Sequence, residues 1–372
     1  LNIDSLVFHR LQAIGLVPAI AQHCLSLAAS DTHHADAELL RITEVQRDAL
    51  TLHDGLAARG GRALPALHQR LQFEADALAV GDWVLATRNA FGECWVHERL
   101  PPLNQLARRL HDGRDKVERV VIVSNVDTAL LVMGLDHDFS LRRLERYIAL
   151  VRMAGVQPLV VLTKADLCAG RGADAGADIH SRLQAVQALL PPGAAAVAVN
   201  ALGDQPRERL SPWLQPGQTL VLLGSSGAGK STLTNALLGT PTQSTGANRA
   251  GDSRGRHTTT ARSLHPLPGG ACLIDTPGLR TLRLDGDAES LGVVYDDITQ
   301  LALQCRFRDC QHHDEPGCAV RQGVPPERLR NYQKLQREAR RDTLSALERK
   351  AQVQQWKVRA RGAKLRMASK RG

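Results

Sequence analysis

A glycine-rich run, Gly224-Ser225-Ser226-Gly227-Ala228-Gly229-Lys230-Ser231-Thr232, follows the apolar residues 219–223 and precedes a helical pattern over 231–238. Strand, glycine loop and helix in that succession form a phosphate cradle. The glycines let backbone N–H groups turn inward around phosphate oxygens, and the helix N-terminus adds a favourable dipole. Lys230 then reaches the β- and γ-phosphates, and Ser231 offers a hydroxyl to Mg2+. Ahead of this loop, directly after the apolar run 159–162, stands Thr163-Lys164-Ala165-Asp166. A carboxylate at Asp166 can accept from both the N1–H and the exocyclic amine of guanine, a donor pair adenine lacks. Lys164 would lie along base and ribose.

The order of these parts is the tightest constraint on the fold. Downstream of the loop come Gly255-Arg256-His257-Thr258-Thr259-Thr260 and then Asp275-Thr276-Pro277-Gly278, the latter closing the apolar run 272–274. In an ordinary small GTPase the phosphate loop comes first and the guanine reader near the end. Here the same parts are cyclically shifted. Asp275 can hold Mg2+ through water, the Gly278 N–H can meet the γ-phosphate, and Thr258 and Thr259 are further nucleotide or Mg2+ candidates. Asn200-Ala201, after the run 196–199, sits where such proteins place the backbone that touches the guanine oxygen. Thr163 takes the usual place of asparagine, which suffices if its hydroxyl ties this segment to the phosphate loop. Leu279 follows Gly278, and an aliphatic side chain cannot orient water. Catalysis is therefore assigned to Lys230 and to His257, an acid–base group beside the threonines.

The 372 residues, 43% apolar and 23% charged, predict two or three cores. No apolar run approaches the roughly 18 residues of a membrane span, and no signal-peptide pattern is seen, so the chain is expected in the cytoplasm, without membrane contact. A helix is expected over 11–27, in an N-terminal extension (1–36) that carries no chemistry. Short alternating runs with glycine punctuation over 37–113 predict a small β-barrel, with a hairpin at 40–52, strands at 80–85 and 94–100, and an insertion-like stretch at 57–71. Over 114–284, uniformly apolar strands alternate with helices such as 140–153, the pattern of a parallel sheet covered on both faces. Over 285–372 comes a Cys/His cluster, then a polar helix from Pro325-Pro326.

That cluster, Cys305-x4-Cys310-x-His312-x5-Cys318, offers three thiolates and an imidazole, enough to close a tetrahedral structural Zn2+ site, with His313 as a competing fourth ligand. Residues 340–372 hold eleven Lys or Arg against two acids, so this tail carries the whole net +9 of the chain. Such a tail gains affinity by releasing counterions from phosphates, which points to nucleic acid. Only 3% of residues are aromatic, so backbone and shape contacts to folded RNA are expected over extended base stacking.

The permuted order, Val80-Gly81-Asp82-Trp83-Val84, the segment 255–260 and the cysteine cluster 305–318 together resemble the circularly permuted bacterial GTPases that act on the small ribosomal subunit (RsgA, also called YjeQ or YloQ). The likeness runs over about 37–335. It implies an OB-fold barrel, a permuted GTPase domain and a zinc-binding helical domain, and it favours His312 over His313. It further implies GTP/GDP, Mg2+ and one structural Zn2+ per chain, the 30S subunit and its 16S rRNA as partner, and late subunit maturation with subunit-stimulated hydrolysis coupled to release. The chain is expected to act as a monomer. The alternative is a binding module, an assembly factor for which GTP is only a conformational ligand.

Overall fold

The computed structural model describes residues 3–30, 37–47, 49–111, 117–169, 175–203, 205–240, 262–276, 291–292 and 294–343. The chain divides into two compact units, 1–108 with 120–282, and 109–119 with 283–372. The first begins with α1 (Ser5–Gln12) and α2 (Pro18–Ser30). Where one helix was expected there are two, because Gly15 turns the chain at φ 88°. Leu11, Ile14, Leu16, Ile20 and Cys24 are buried, so this extension is part of the core and not an appendage.

Strands β1 (Glu38–Gln46), β2 (Ala49–His53), β3 (Ala58–Ala63), β4 (Trp83–Arg88) and β5 (Cys94–Arg99), with α3 (Pro65–Phe73) between β3 and β4, form a closed barrel. β1 pairs with both β2 and β4, β2 with β3, β3 with β5, and β5 with β4. Leu40, Ile42, Leu52, Val84 and Val96 point inward, and Leu67 and Leu71 of α3 plug the same core. The stretch 57–71 is therefore no insertion: it supplies β3 and most of α3. Two adjacent glycines, Gly60 and Gly61, had hidden the alternation of β3.

After the ribbon of β6 (Gln105–His111) and β7 (Val117–Ser124) the chain alternates strand and helix. The elements are β8 (Thr128–Gly134), α4 (Leu141–Met153), β9 (Gln157–Thr163), α5 (Ala165–Ala169), α6 (Ala175–Gln187), β10 (Ala195–Ala198), α7 (Gln205–Leu210), β11 (Thr219–Leu223), α8 (Lys230–Leu238), β12 (Ser263–Pro266) and β13 (Cys272–Asp275). Their sheet order is β10-β9-β8-β11-β13-β12. All neighbours pair in parallel except β12, which runs antiparallel to β13. Leu130, Leu159, Leu220, Leu222 and Leu273 are fully buried in one core, each worth about 1.5–3 kcal/mol relative to exposure. β12 also pairs with β1 at Ser263↔Glu44, so sheet and barrel are one hydrogen-bonded surface.

The second unit contains α9 (Asp296–Ala302), α10 (Ala319–Gly323) and α11 (Pro326–Thr343). Ile298, Val320, Val324, Leu329 and Leu335 are buried. The Tyr295 and Tyr332 rings pack in a tilted arrangement, centroids 5.2 Å apart. Arg328 lies over Tyr295 and donates to Asp297 from Nε and Nη2 at 3.2 and 3.0 Å. Among the described residues no helix is long and apolar enough to cross a membrane.

Arg41, on β1, is fully buried. Its guanidinium donates to the carbonyls of Ile14, Gly81 (3.3 Å) and Asn125 (3.1 Å) and to the Thr219 hydroxyl (2.9 Å). It also stacks on Trp83, 5.3 Å from the ring centre. Burial lowers its pKa, opposed by the charges of Cys272, Asp127 and Asp82, but an arginine stays charged in any case. The acceptors come from the extension, the barrel, the β7–β8 turn and β11. Replacing Arg41 by Met leaves the Ile14 and Asn125 carbonyls and the Thr219 hydroxyl buried without this donor, while the Gly81 carbonyl keeps Asn125 Nδ2 at 3.0 Å, and is expected to cost about 3 kcal/mol or more. A urea unfolding curve checks this, and an unchanged midpoint would contradict it.

Candidate nucleotide site and metal centre

Because β8, β9, β10, β11 and β13 are parallel, their carboxyl ends share one edge, where open α/β sheets place ligands. The winding direction reverses at β11, and the phosphate loop leaves from there. Close backbone approach explains its glycines. A Cβ on Gly224 would lie 2.3 Å from the Val132 carbonyl oxygen. Gly227 and Gly229 take left-handed φ of 81° and 92°, and Gly229 caps α8. Ala228 is fully buried, while Ser226 and Gly227 form the exposed tip. Lys230 Nζ donates to the carbonyls of Gly224 (2.9 Å) and Ser225 (2.6 Å), so the side chain curls over the loop. Ser231 and Thr232 open the helix, half-buried.

The Thr163 hydroxyl donates to the Ala228 carbonyl at 2.6 Å, a direct tie between the two sequence-predicted segments. The approach is tight: a Cβ on Gly229 would lie 3.1 Å from Thr163 Oγ1. Lys164 adopts φ 62°, and its Nζ donates to Asp136 Oδ2 at 2.7 Å. Asp136 is held below its ordinary pKa: burial opposes this, but the Lys164 hydrogen bond and the Asp138 N–H outweigh it. Ala165 and Asp166 form the first turn of α5. The Ala165 N–H donates to the Val199 carbonyl at 3.5 Å, which sets β9's end beside Asn200-Ala201. Asn200 Oδ1 accepts from the Leu202 N–H, and its own N–H donates to Gln205 Oε1. The asparagine side chain thus closes its own turn. Asp275 ends β13 with 3% exposure, and the Thr276 hydroxyl donates to the Leu222 carbonyl, joining that strand's end to the phosphate-loop strand. His257, Thr258, Thr259, Thr260, Gly278 and Leu279 lie outside the described residues.

Three residues at this edge belong to no sequence motif. Asp136, Asp138 and Arg143 follow β8, where Asp138 accepts from Ser225 Oγ (2.5 Å) and from Arg143 Nη2 (2.6 Å). The available signal was an Asp-His-Asp triplet directly after an apolar strand, which reads equally well as a solvated turn.

In the second unit the ligand atoms of Cys305, Cys310, His312 and Cys318 all lie within 4.8 Å of one another. Cys305 Sγ is 3.9 Å from Cys318 Sγ, and His312 Nδ1 is 3.7 and 3.4 Å from these two sulfurs. Tetrahedral Zn2+ with ordinary bond lengths requires edges of about 3.8 Å between sulfurs and about 3.5 Å from sulfur to nitrogen, so the residues fit the ion. Cys305 is held below the ordinary thiol range, since the Val320 and Ala319 N–H groups outweigh burial. Cys310 is pushed up to about 11 by burial and then by its cysteine neighbours. His312, at φ 59°, is fixed through its carbonyl by Gln333 Nε2 (2.9 Å). His313 instead places its ring 3.4 Å from the same Gln333 nitrogen.

A permuted guanine-nucleotide fold is the class these observations define. Residues 100–285 match the family described as RsgA GTPase. The small ribosomal subunit biogenesis GTPase RsgA of Xanthomonas campestris pv. campestris (strain B100) is 41% identical over 369 residues, covering 97% of this chain and 96% of that protein. The protein of the same name from Xylella fastidiosa (strain 9a5c) is 49% identical over 281 residues, 74% of this chain and 78% of its own length. Among solved structures, YloQ, a circularly permuted GTPase, aligns with TM-score 0.57 at 24% identity, covering 83% of this chain and 97% of its own. YjeQ from Thermotoga maritima aligns with TM-score 0.58 at 23%, covering 82% and 98%. The chain belongs to the RsgA GTPase family, and its chemistry is GTP hydrolysis.

Cys310→Ser should lose the bound metal together with the fold of the second unit, because metal binding in such small sites is coupled to folding. Elemental analysis of never-chelated protein should find one zinc per chain in the parent and substantially less in the variant. A metal-free parent would contradict the assignment.

Proposed function

We propose that this GTPase binds the small ribosomal subunit during its late maturation, and that hydrolysis, stimulated by the subunit, times its release. Family membership supports the subunit as partner. The observation that carries the timing is the position of β13. Permutation puts Asp275 and Gly278 just ahead of the region 285–372 in sequence, while β13 pairs with β12, and β12 with barrel strand β1. Loss of a γ-phosphate relaxes segments of this kind, so a nucleotide sensor here would act on both flanking regions.

In this reading residues 1–36 are an extension, 37–113 an OB-fold RNA-binding barrel, 114–284 the GTPase domain and 285–372 a zinc-binding domain with a basic tail that meets 16S rRNA. Gly224 to Thr232 cradle the phosphates, with Lys230 neutralising charge on the β- and γ-oxygens. Asp166 selects guanine, Lys164 flanks the base, Thr163 locks the two segments together, and the backbone of Asn200-Ala201 meets the base oxygen. Ser231 and Asp275 hold Mg2+, which supplies charge stabilisation at the transferred phosphoryl group. Thr258 and Thr259 would contact nucleotide or Mg2+, the Gly278 N–H would meet the γ-phosphate, and His257 would orient the attacking water. Cys305, Cys310, His312 and Cys318 hold Zn2+ in a closed four-ligand site, whose role is structural because no position is left for water. The protein works as a cytoplasmic monomer.

Turnover of GTP and ATP, with and without purified small subunits, tests the function. GTP turnover should rise with subunits, and ATP turnover should stay at background. Subunit binding without any rise would favour the non-catalytic reading, in which GTP is only a conformational ligand; Leu279 in place of a water-orienting side chain is what makes that reading specific. Asp166→Asn should weaken GTP binding by on the order of 1.5–3 kcal/mol, as read by titration calorimetry. Unchanged affinity would remove the guanine assignment.

A further inference from the structure

The loop between β8 and α4 bears two carboxylates beside a site built for a polyanion, where negative charge is unfavourable. Each is neutralised by a different partner. Asp136 Oδ2 accepts from Lys164 Nζ at 2.7 Å, and exposed His137 lies 3.4 Å from the same oxygen. Asp138, 9% exposed, takes Arg143 Nη2 at 2.6 Å, Ser225 Oγ at 2.5 Å and the Gly134 N–H at 3.2 Å. The loop is closed on itself, since Asp136 Oδ1 accepts from the Asp138 N–H at 3.0 Å. It is also pinned to the guanine-reading strand, because the Leu135 N–H donates to the Thr163 carbonyl at 2.9 Å. Space is tight as well: a Cβ on Gly134 would lie 2.5 Å from Asp136 Oδ1 and 3.3 Å from Lys164 Cδ.

We propose that Asp136 is a positioning residue for guanine-nucleotide binding: it holds the Lys164 side chain in place for the base, while Asp138 ties the same loop to Ser225 of the phosphate loop. The two halves of the cradle are then set together before nucleotide arrives. Lys164 needs such help. It sits at φ 62°, a backbone region that costs a non-glycine residue, on a flexible four-carbon stem. Asp136 never touches nucleotide in this scheme; it acts through Lys164. The inference rests on the reading of 163–166 as the guanine-binding segment.

Electrostatics alone and positioning predict opposite signs. Removing the Asp136 charge with Asp136→Asn lowers the negative charge near a polyanion, so long-range electrostatics favours tighter binding. Positioning instead predicts weaker GDP binding, by roughly three- to tenfold for a partly buried charged hydrogen bond, with kcat of GTP turnover within about twofold. Asp136→Glu, which keeps the charge, should recover part of the loss. In a double-mutant cycle the Asp136→Asn effect should vanish on a Lys164→Ala background, since the pair then no longer exists. GDP titration calorimetry on the full chain reads all four variants, with thermal melts confirming that each is folded. Unchanged or tighter GDP binding by folded Asp136→Asn overturns the proposal, as do losses that add in the double variant. Asp166→Asn separates the two levels: if it loses GDP affinity while Asp136→Asn does not, the guanine segment stands and only the positioning role falls. If Asp166→Asn binds GDP normally, the reading of the segment falls and the proposal with it.

Discussion

Burying a guanidinium is costly unless every donor finds an acceptor, and Arg41 finds its acceptors on four separate pieces of chain. Ile14 comes from the extension, Gly81 from the barrel, Asn125 from the turn before β8 and Thr219 from the start of β11. None of those segments can leave without stranding a charge. Two glycines make room for the arrangement. A Cβ on Gly15 would fall 1.9 Å from Arg41 Nη1, and one on Gly81 would fall 2.1 Å from the Ser124 carbonyl oxygen. Barrel and nucleotide sheet are therefore fixed to each other at the amino-terminal edge of the strands.

Among the described residues, the segments proposed to bind nucleotide leave from the opposite edge. A sheet anchored at one end and loaded at the other suits a sensor. Strand ends that carry Thr163, Gly224 and Asp275 are cross-tied by short side-chain bonds to neighbouring carbonyls, as Thr163 is to Ala228 and Thr276 to Leu222. The barrel joins this edge more lightly, through the Ser263–Glu44 pairing and the Ser263 hydroxyl, which donates to the Glu44 carboxylate at 3.1 Å. Strong coupling at the anchored edge and light coupling at the loaded one would let β12 transmit a change at Asp275 without disturbing the core.

What could be read from sequence was whatever chemistry fixes locally. A phosphate loop needs glycines at set offsets, so Gly224, Gly227 and Gly229 announce themselves, and their φ angles and close approaches give the reason. The role asked of Thr163 needed only a hydroxyl within reach of the loop, and the strand order supplies that reach. Cysteine and histidine spacing likewise reflects a four-atom geometry. Arg41 was invisible because its partners are scattered from Ile14 to Thr219, a relation no local pattern encodes. Gly60 and Gly61 break the alternation that marks a strand, so no local pattern announces β3. Asp136 and Asp138 have the composition of a solvated turn, and only the parallel sheet brings them to Lys164 and Ser225.

The central claim is that nucleotide state sets affinity for the small ribosomal subunit, and linkage makes that a binding measurement. Dissociation constants for purified subunits, measured with a non-hydrolysable GTP analogue and with GDP at one fixed salt concentration, test it most directly. The account predicts tighter binding with the analogue, by roughly tenfold or more. Equal affinities in the two states would contradict it, whatever the rate of GTP turnover.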